Sequence, residues 1–213
     1  PYAYCAADPV NFIDPTGMFI TMPKGTTDAE ASIVQSNIQK LTDDKIVWSR
    51  QEDNSVRFKI IRLEPKGNLI KGTNLIRNIN SSKYELSIVL TDEGNEINFI
   101  YGRIGGGITL KFNPNFDPDI KTMDENGNIQ DEPRPAFIGL AHEMVHAYRA
   151  MFGFFIKKSD RVKYIFKLSG GGEDSDIVPR EELETVGIDG YDHGKFTEND
   201  IRKEHNLNKR IKY

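Results

Sequence analysis

The chain has few of the residues that build disulfide frameworks, membrane spans or nucleic-acid surfaces. Its 213 residues include one cysteine, so no internal disulfide can form and any metal site must use histidine and carboxylate ligands. No stretch approaches about 18 uninterrupted apolar residues, so no membrane-spanning helix is predicted. Lys and Arg number 28 against 32 Asp and Glu, and this balance argues against a general nucleic-acid binder. The 38% hydrophobic content is typical of one globular domain.

Hydrophobic periodicity predicts a mixed α+β domain in which strands come first and helices follow. Apolar residues recur every three to four positions over 28–42, which favours an amphipathic helix. The other elements expected in the first two thirds of the chain are strands at 45–50 and 55–63, a short helix at 73–81 capped by Thr73, a hairpin of 84–91 with 96–101, a strand at 107–112 and an exposed loop at 113–135.

The segment 135–152 has the pattern of a metal-binding helix. His142 and His146 are four residues apart, so both imidazoles leave the same face, and Glu143 stands beside them. Two histidines one turn apart can bind one zinc ion, and the Glu between them can deprotonate a zinc-activated water. This H-E-x-x-H motif therefore predicts a hydrolytic zinc site.

A third protein ligand is expected, because a catalytic zinc usually takes three and leaves one position for water. The segment 179–187 is typical of a short acidic helix, and its carboxylates are those of Glu181, Glu182 and Glu184. His193 is the other candidate. The residues alone leave this choice open.

The start of the chain carries an ordered motif. Two Asp-Pro steps and a Pro-Thr-Gly turn predict irregular structure, and the motif consists of Asp8, Pro9, Asn11, Asp14, Pro15, Gly17 and Met18. This segment resembles the end of the core of Rhs and YD-repeat proteins, which closes a shell before a variable toxin and releases it by self-cleavage. The resemblance implies a core end at 1–18, a toxin domain at 19–213 delivered into a target cell, and a cognate immunity protein.

The motif helix and the E-E-x-x-T-V-G sequence of 181–187 carry a second resemblance. Together they resemble the NleD-like effector metallopeptidases of bacterial pathogens and, more distantly, the light chains of clostridial neurotoxins. In both families a Glu of the second motif completes the zinc site. In the neurotoxin light chains this ligand is the first Glu of the pair, and that position selects Glu181, which implies a gluzincin arrangement. The resemblance also implies a zincin-like α+β fold, with a small mixed sheet packed on the H-E-x-x-H helix and a helical C-terminal part.

The end of the chain resembles the last segment of the same peptidases. Thr197 and Asp200 form a T-x-x-D helix start, and the R-x-x-Y pair at the terminus is Arg210 and Tyr213. The resemblance places this pair against the substrate carbonyl oxygen, where a cation and a phenol can stabilise an oxyanion. Arg202 is an alternative cation, and a solvated basic tail is the alternative interpretation of the segment.

We therefore expect a secreted zinc metalloendopeptidase toxin that hydrolyses a peptide bond in a target-cell protein. His142, His146 and Glu181 would hold the zinc, and Glu143 would act as the general base. The strand at 107–112 is expected at the sheet edge beside the cleft, with glycines at 105–107 admitting a substrate backbone. Two other classes are a non-catalytic zinc-containing binding module, in which Glu143 is dispensable, and a metal-dependent nuclease, which the lack of basic excess disfavours.

Overall fold

The computed structural model of the chain describes residues 19–63, 67–99, 107–155, 157 and 159–213. The predicted core-end segment 1–18 and the glycines at 105 and 106 lie outside these residues. The described strands are β1 (Ile20–Met22), β2 (Lys45–Arg50), β3 (Val56–Ile61), β4 (Leu86–Leu90), β5 (Glu96–Phe99), β6 (Ile108–Phe112), β7 (Asp119–Met123), β8 (Ile129–Pro133), β9 (Arg161–Lys167), β10 (Glu173–Pro179) and β11 (Lys209–Arg210). The described helices are α1 (Asp28–Lys40), α2 (Ile70–Asn80), α3 (Ala136–Met151), α4 (Arg180–Val186) and α5 (Glu198–Glu204). None of these helices combines the length and apolarity needed to cross a bilayer.

Six strands form one mixed sheet in the order β2-β3-β1-β4-β6-β5. The predicted hairpin of 84–91 with 96–101 is wrong, because β6 lies between β4 and β5 and pairs with both. The backbone N–H of Asn113, just after β6, donates to Oδ1 of Asn95 at 2.8 Å and fastens β5 to β6. The predicted edge strand at 107–112 is therefore wrong as well, since β5 forms that edge.

Helix α3 is the centre of the fold, and 13 of its 16 residues are buried. It packs against β5 and β6 on one side and against α1, α2 and α5 on the others. Its fully buried apolar side chains include Ile138, Leu140, Met144 and Val145, and burial of each contributes about 1.5–3 kcal/mol. The predicted α+β fold is confirmed, because a mixed sheet packs on the H-E-x-x-H helix and short helices follow it.

Helix α2 begins at Ile70, three residues before the predicted cap at Thr73. The carboxylate of Glu204, at the end of α5, accepts hydrogen bonds from the backbone N–H groups of Lys71 and Gly72. It thus satisfies the unpaired amides of the first helical turn from far along the chain, which no local pattern predicts. Thr73 instead contacts the Thr42 hydroxyl at 3.1 Å.

The loop predicted at 113–135 contains the antiparallel strands β7 and β8. The carboxylate of Asp124 accepts from the backbone N–H groups of Asn126 and Asn128, and Gly127 takes a positive φ of 84° to close the turn. Strand β11 pairs with β7 and sets Arg210 opposite Thr122. This three-stranded sheet therefore holds the end of the chain against the body of the domain.

Strands β9 and β10 form a hairpin that leads directly into α4. Its inner face joins Leu183 and Val186 of α4 in a second apolar cluster through Tyr164, Phe166 and Val178. Packing of this kind fixes the orientation of α4 relative to α3.

Candidate metal centre and active site

The two motif histidines converge on one point beside α3. His142 and His146 are each 3% exposed, and their Nε2 atoms lie 3.2 Å apart. One helical turn brings the two rings to one face, as the spacing predicts. A carboxylate oxygen of Glu182 lies 3.3 Å from Nε2 of His142 and 3.0 Å from Nε2 of His146.

The carboxylate that meets the histidines differs from the one predicted. The structure groups His142, His146 and Glu182, with ligand atoms within 4.8 Å of one another. Glu181 lies instead on the far side of His146, where its Oε1 is 3.1 Å from Nδ1 of that ring. Consecutive residues of a helix point about 100° apart, so only one of the two glutamates can face the histidine pair. In the structure Glu182, and not the predicted Glu181, lies against the Nε2 atoms of both histidines.

The three atoms fit a tetrahedral zinc ion. Ligands at 2.0–2.1 Å from such an ion lie about 3.3 Å from one another. The separations among the two Nε2 atoms and the Glu182 oxygen are 3.0–3.3 Å. Two imidazole nitrogens and a carboxylate are a donor set that zinc prefers, so the site can hold the metal that the motif predicts.

Both histidines have carboxylate partners on their other ring nitrogens. Oε2 of Glu198 lies 2.9 Å from Nδ1 of His142, and Nδ1 of His146 contacts Glu181 and, at 3.1 Å, the Thr185 hydroxyl. Such partners set the tautomer so that Nε2 is free to bind a metal. Burial acts to lower the pKa of His146, but hydrogen bonds to its two glutamates raise it to about 9. Metal binding at this site must therefore displace a proton, and it weakens as the pH falls.

Glu181 belongs to a buried ion-pair network. Nε and Nη2 of Arg149 donate to its two carboxylate oxygens at 2.8 and 3.0 Å, and Nη2 also donates to Glu184 at 2.7 Å. Arg149 is 4% exposed and Glu181 fully buried. Arg149 therefore holds the carboxylate that orients His146.

Glu143 lies on α3 beside the ligand histidines and is 7% exposed. Its carboxylate makes no hydrogen bond to a side chain within the described part of the chain, which leaves its oxygens available to a water or substrate. This is the position that the motif predicts for a general base.

The predicted pair at the end of the chain reaches the same site. Nη1 of Arg210 donates to Oε2 of Glu198 at 2.9 Å, and its guanidinium lies 5.2 Å from the Tyr213 ring centre. The Tyr213 ring stacks on His142 with centres 6.2 Å apart. Burial raises the pKa of Tyr213, and nearby Glu182 raises it further, so the phenol stays protonated and can donate. Burial would raise the pKa of Glu198, but Arg210 and His142 lower it below its ordinary range.

The alternative residues lie elsewhere or have other partners. Nε of Arg202 donates to the carbonyl oxygen of Asn208 at 2.6 Å, and its Nη1 lies 3.8 Å from Oε1 of Glu198, so its charge is matched within the fold. The side chain of His193 is 82% exposed, lies beside Asp192 and does not belong to the group of His142, His146 and Glu182.

Sequence reasoning missed three residues that support the site, namely Glu198, Arg149 and Thr185. Glu198 follows the predicted cap Thr197, and the cap itself is confirmed by the bond from the Asp200 N–H at 3.0 Å. A buried acid at the first position of that helix could have been suspected, but its partner lies 56 residues away.

Residues 62–213 match the model of the Peptidase_M91 family, described as effector protein. A comparison with curated proteins gives no match.

Two solved structures are similar to part of the chain. They are the zinc-removed apo form of the botulinum neurotoxin type C light chain and the botulinum neurotoxin serotype C1 light chain protease. Each has 14% identity and a TM-score of 0.36, over 70% of this chain and 34% of the other. The chain thus spans about a third of the length of these light chains.

Proposed function

The chain belongs to the Peptidase_M91 family of effector proteins, and from that premise we propose that it is a zinc-dependent endopeptidase. Its substrate is a protein of the cell into which it is delivered, and it hydrolyses one or more peptide bonds there. The observation that carries the proposal is the convergence of His142, His146 and Glu182 beside Glu143.

Three side chains would hold the metal, and two further carboxylates keep them in place. His142 and His146 provide Nε2, and Glu182 provides a carboxylate oxygen. Glu198 and Glu181 accept from the opposite ring nitrogens and so orient both imidazoles. When bound, zinc supplies Lewis acidity that lowers the pKa of water towards neutrality and polarises the scissile carbonyl.

Proton transfer is assigned to Glu143. Its carboxylate takes the proton of the attacking water and later passes it to the nitrogen of the departing amine. Glu143 is adjacent in sequence to His142, one of the residues that would hold the metal. The tight packing of α3 holds its carboxylate in place, so little reorganisation is needed during the reaction.

Stabilisation of the oxyanion that forms on the substrate carbonyl is assigned to Arg210 and Tyr213. The phenol remains protonated and donates a hydrogen bond, and the guanidinium supplies positive charge. Glu198 accepts from Arg210 and contacts His142, so it couples the position of the oxyanion group to that of a metal ligand.

The delivery route is part of the proposal and rests on the sequence of 1–18. We infer that this segment is the end of an Rhs-type core, that release near residue 18 frees the peptidase, and that an immunity protein protects the producing cell. Neutralisation of the peptidase by a protein encoded next to it would support this part independently of the chemistry.

The proposal is tested by peptide hydrolysis and metal content, measured together for the wild type and Glu143→Gln. We expect one zinc per chain in both, chelator-sensitive cleavage by the wild type, and a loss of about 10³-fold or more in the variant. Equal activity of the two proteins would remove Glu143 as the base. Zinc in both proteins with no cleavage of any protein of a susceptible cell would favour the non-catalytic binding module.

A further inference from the structure

Arg134 is a buried cation that has no hydrogen-bonded acceptor among the described residues. It immediately precedes Pro135, the N-cap of α3, and is 7% exposed. Its side chain donates no hydrogen bond to any described residue, and its Nε is fully buried. Its nearest aromatic neighbour is Phe116, whose ring centre lies 5.8 Å from the guanidinium carbon.

A second unpaired donor lies at the same place. Nδ2 of Asn95 is buried and has no partner among the described residues. The orientation of this amide is fixed, because its Oδ1 accepts from the backbone N–H of Asn113 at 2.8 Å. Asn95 directly precedes β5, the edge strand of the sheet beside α3.

Both donors converge over a glycine of the catalytic helix. A Cβ on Gly139 would lie 2.6 Å from Nδ2 of Asn95 and 3.2 Å from Nη2 of Arg134. Gly139 is four residues before Glu143, so the two positions share a helix face one turn apart. The absence of a side chain at Gly139 thus makes room for these groups next to the predicted base.

The chemistry of this donor pair selects an anionic acceptor. Buried donors that lack an acceptor cost free energy, and a buried cation costs more. A carboxylate accepts from up to several N–H groups and pairs with a guanidinium in two parallel bonds. The carboxylates of Glu198 and Glu143 attract the Arg134 guanidinium electrostatically, but neither forms an ion pair with it. An acceptor supplied by the substrate would complete the site.

We propose that Arg134 and Asn95 form a subsite that binds the side-chain carboxylate of an acidic residue in the substrate. This inference rests on the proposed peptidase function and deepens it. One helical turn is about 5.4 Å, and an extended peptide advances about 3.3 Å per residue. The acidic residue therefore lies within two positions of the scissile bond.

The first test measures binding without hydrolysis. The full chain carries Glu143→Gln so that peptides stay intact, and it is titrated with two capped pentapeptides of alanine that contain one central Glu or one central Gln. We expect the Glu peptide to bind at least about tenfold more tightly, and Arg134→Gln to abolish this preference. Equal affinity for both peptides, or a preference that survives Arg134→Gln, would overturn the proposal.

Two further variants separate binding from folding. Arg57→Gln is the matched control. Arg57 also has a buried Nε with no hydrogen-bond partner in the described part of the chain and an aromatic neighbour, Phe19, but it lies on β3. It should leave the Glu preference unchanged. Asn95→Asp places a carboxylate next to Arg134, so it should raise the melting temperature while it weakens binding of the Glu peptide. If Asn95→Asp lowered both the melting temperature and the affinity for the Glu peptide, the fold would be damaged. That result would contradict the role assigned to Asn95.

The second test reads specificity from cleavage. A peptide library made from a bacterial or animal proteome is digested with the wild type and with Arg134→Gln, and the cleavage sites are identified by mass spectrometry. Acidic residues should be enriched at one position within two residues of the cut, and the enrichment should disappear in the variant. Cleavage without acidic preference would refute the subsite while leaving the peptidase function intact. Preferential binding of the Glu peptide without any cleavage would support the subsite and contradict the peptidase function.

Discussion

The buried network around Arg149 gives a sharp stability prediction. Arg149→Met removes a guanidinium that is 4% exposed and that donates to Glu181 at 2.8 and 3.0 Å and to Glu184 at 2.7 Å. Glu181 is fully buried, so the variant leaves its carboxylate without its main cation. Breaking a buried pair by removal of one partner costs about 3–5 kcal/mol.

Arg180→Met is the matched control for this substitution. Nε of Arg180 also donates to Glu184 at 2.8 Å, but its side chain is 47% exposed. An exposed pair contributes about 0–1 kcal/mol, so this variant should unfold almost like the wild type.

The assay is urea denaturation of both variants at neutral pH after removal of metal with a chelator. A second measurement follows zinc binding, which Arg149→Met should weaken about 10- to 100-fold because Glu181 no longer fixes the His146 ring. A loss of less than about 1 kcal/mol in Arg149→Met, equal to that of Arg180→Met, would refute the role assigned to this network.

Two further predictions concern the rest of the fold. Burial acts to raise the pKa of Asp44. Arg77 donates to both of its carboxylate oxygens at 2.6 Å, and these hydrogen bonds help to lower the pKa overall. Asp44→Asn should therefore cost about 3–5 kcal/mol at pH 7. In urea denaturation the difference from the wild type should shrink as the pH falls below about 4, because the carboxylate of the unfolded chain is protonated there and that of the folded chain follows at lower pH. Gly153 and Gly187 both have a positive φ, of 77° and 76°, but only at Gly187 would a Cβ meet another residue, the Thr197 side chain at 2.7 Å. Gly153→Ala should cost about 1–2 kcal/mol and Gly187→Ala at least about 1 kcal/mol more, and equal melting temperatures would contradict this.

The catalytic helix could be predicted from sequence because its signals are local. The spacing of His142 and His146 fixes a shared helix face, and Gly153 ends the helix region as expected. The apolar residues of 135–152 predict that the helix is buried, and 13 of its 16 residues are buried in the structure. Local spacing and capping thus place the metal-binding pair without knowledge of the tertiary fold.

The choice between Glu181 and Glu182 could not be made in the same way. The two residues are adjacent, both are acidic, and both end up buried beside His146. Which one faces the two Nε2 atoms depends on the rotation of α4, and the β9–β10 hairpin and its apolar cluster set that rotation. Position within a family motif does not contain this information.

Strand pairing was mispredicted for a related reason. Alternating apolar residues identify β4, β5 and β6 as strands but do not specify their neighbours. The parallel pairing of β4 with β6 and the bond from Asn113 to Asn95 decide the order of the sheet. Both interactions join residues that are distant in sequence, as does the Glu204 carboxylate that sets the start of α2.

The most direct test of the metal centre is the zinc affinity of Glu182→Gln compared with Glu181→Gln, measured by competition with a chromogenic chelator. We predict that Glu182→Gln loses far more affinity, because it removes a ligand. Glu181→Gln should lose only about 10- to 100-fold, because it removes a hydrogen-bond partner of His146. The opposite order, with zinc bound tightly by Glu182→Gln and lost from Glu181→Gln, would contradict the centre of His142, His146 and Glu182.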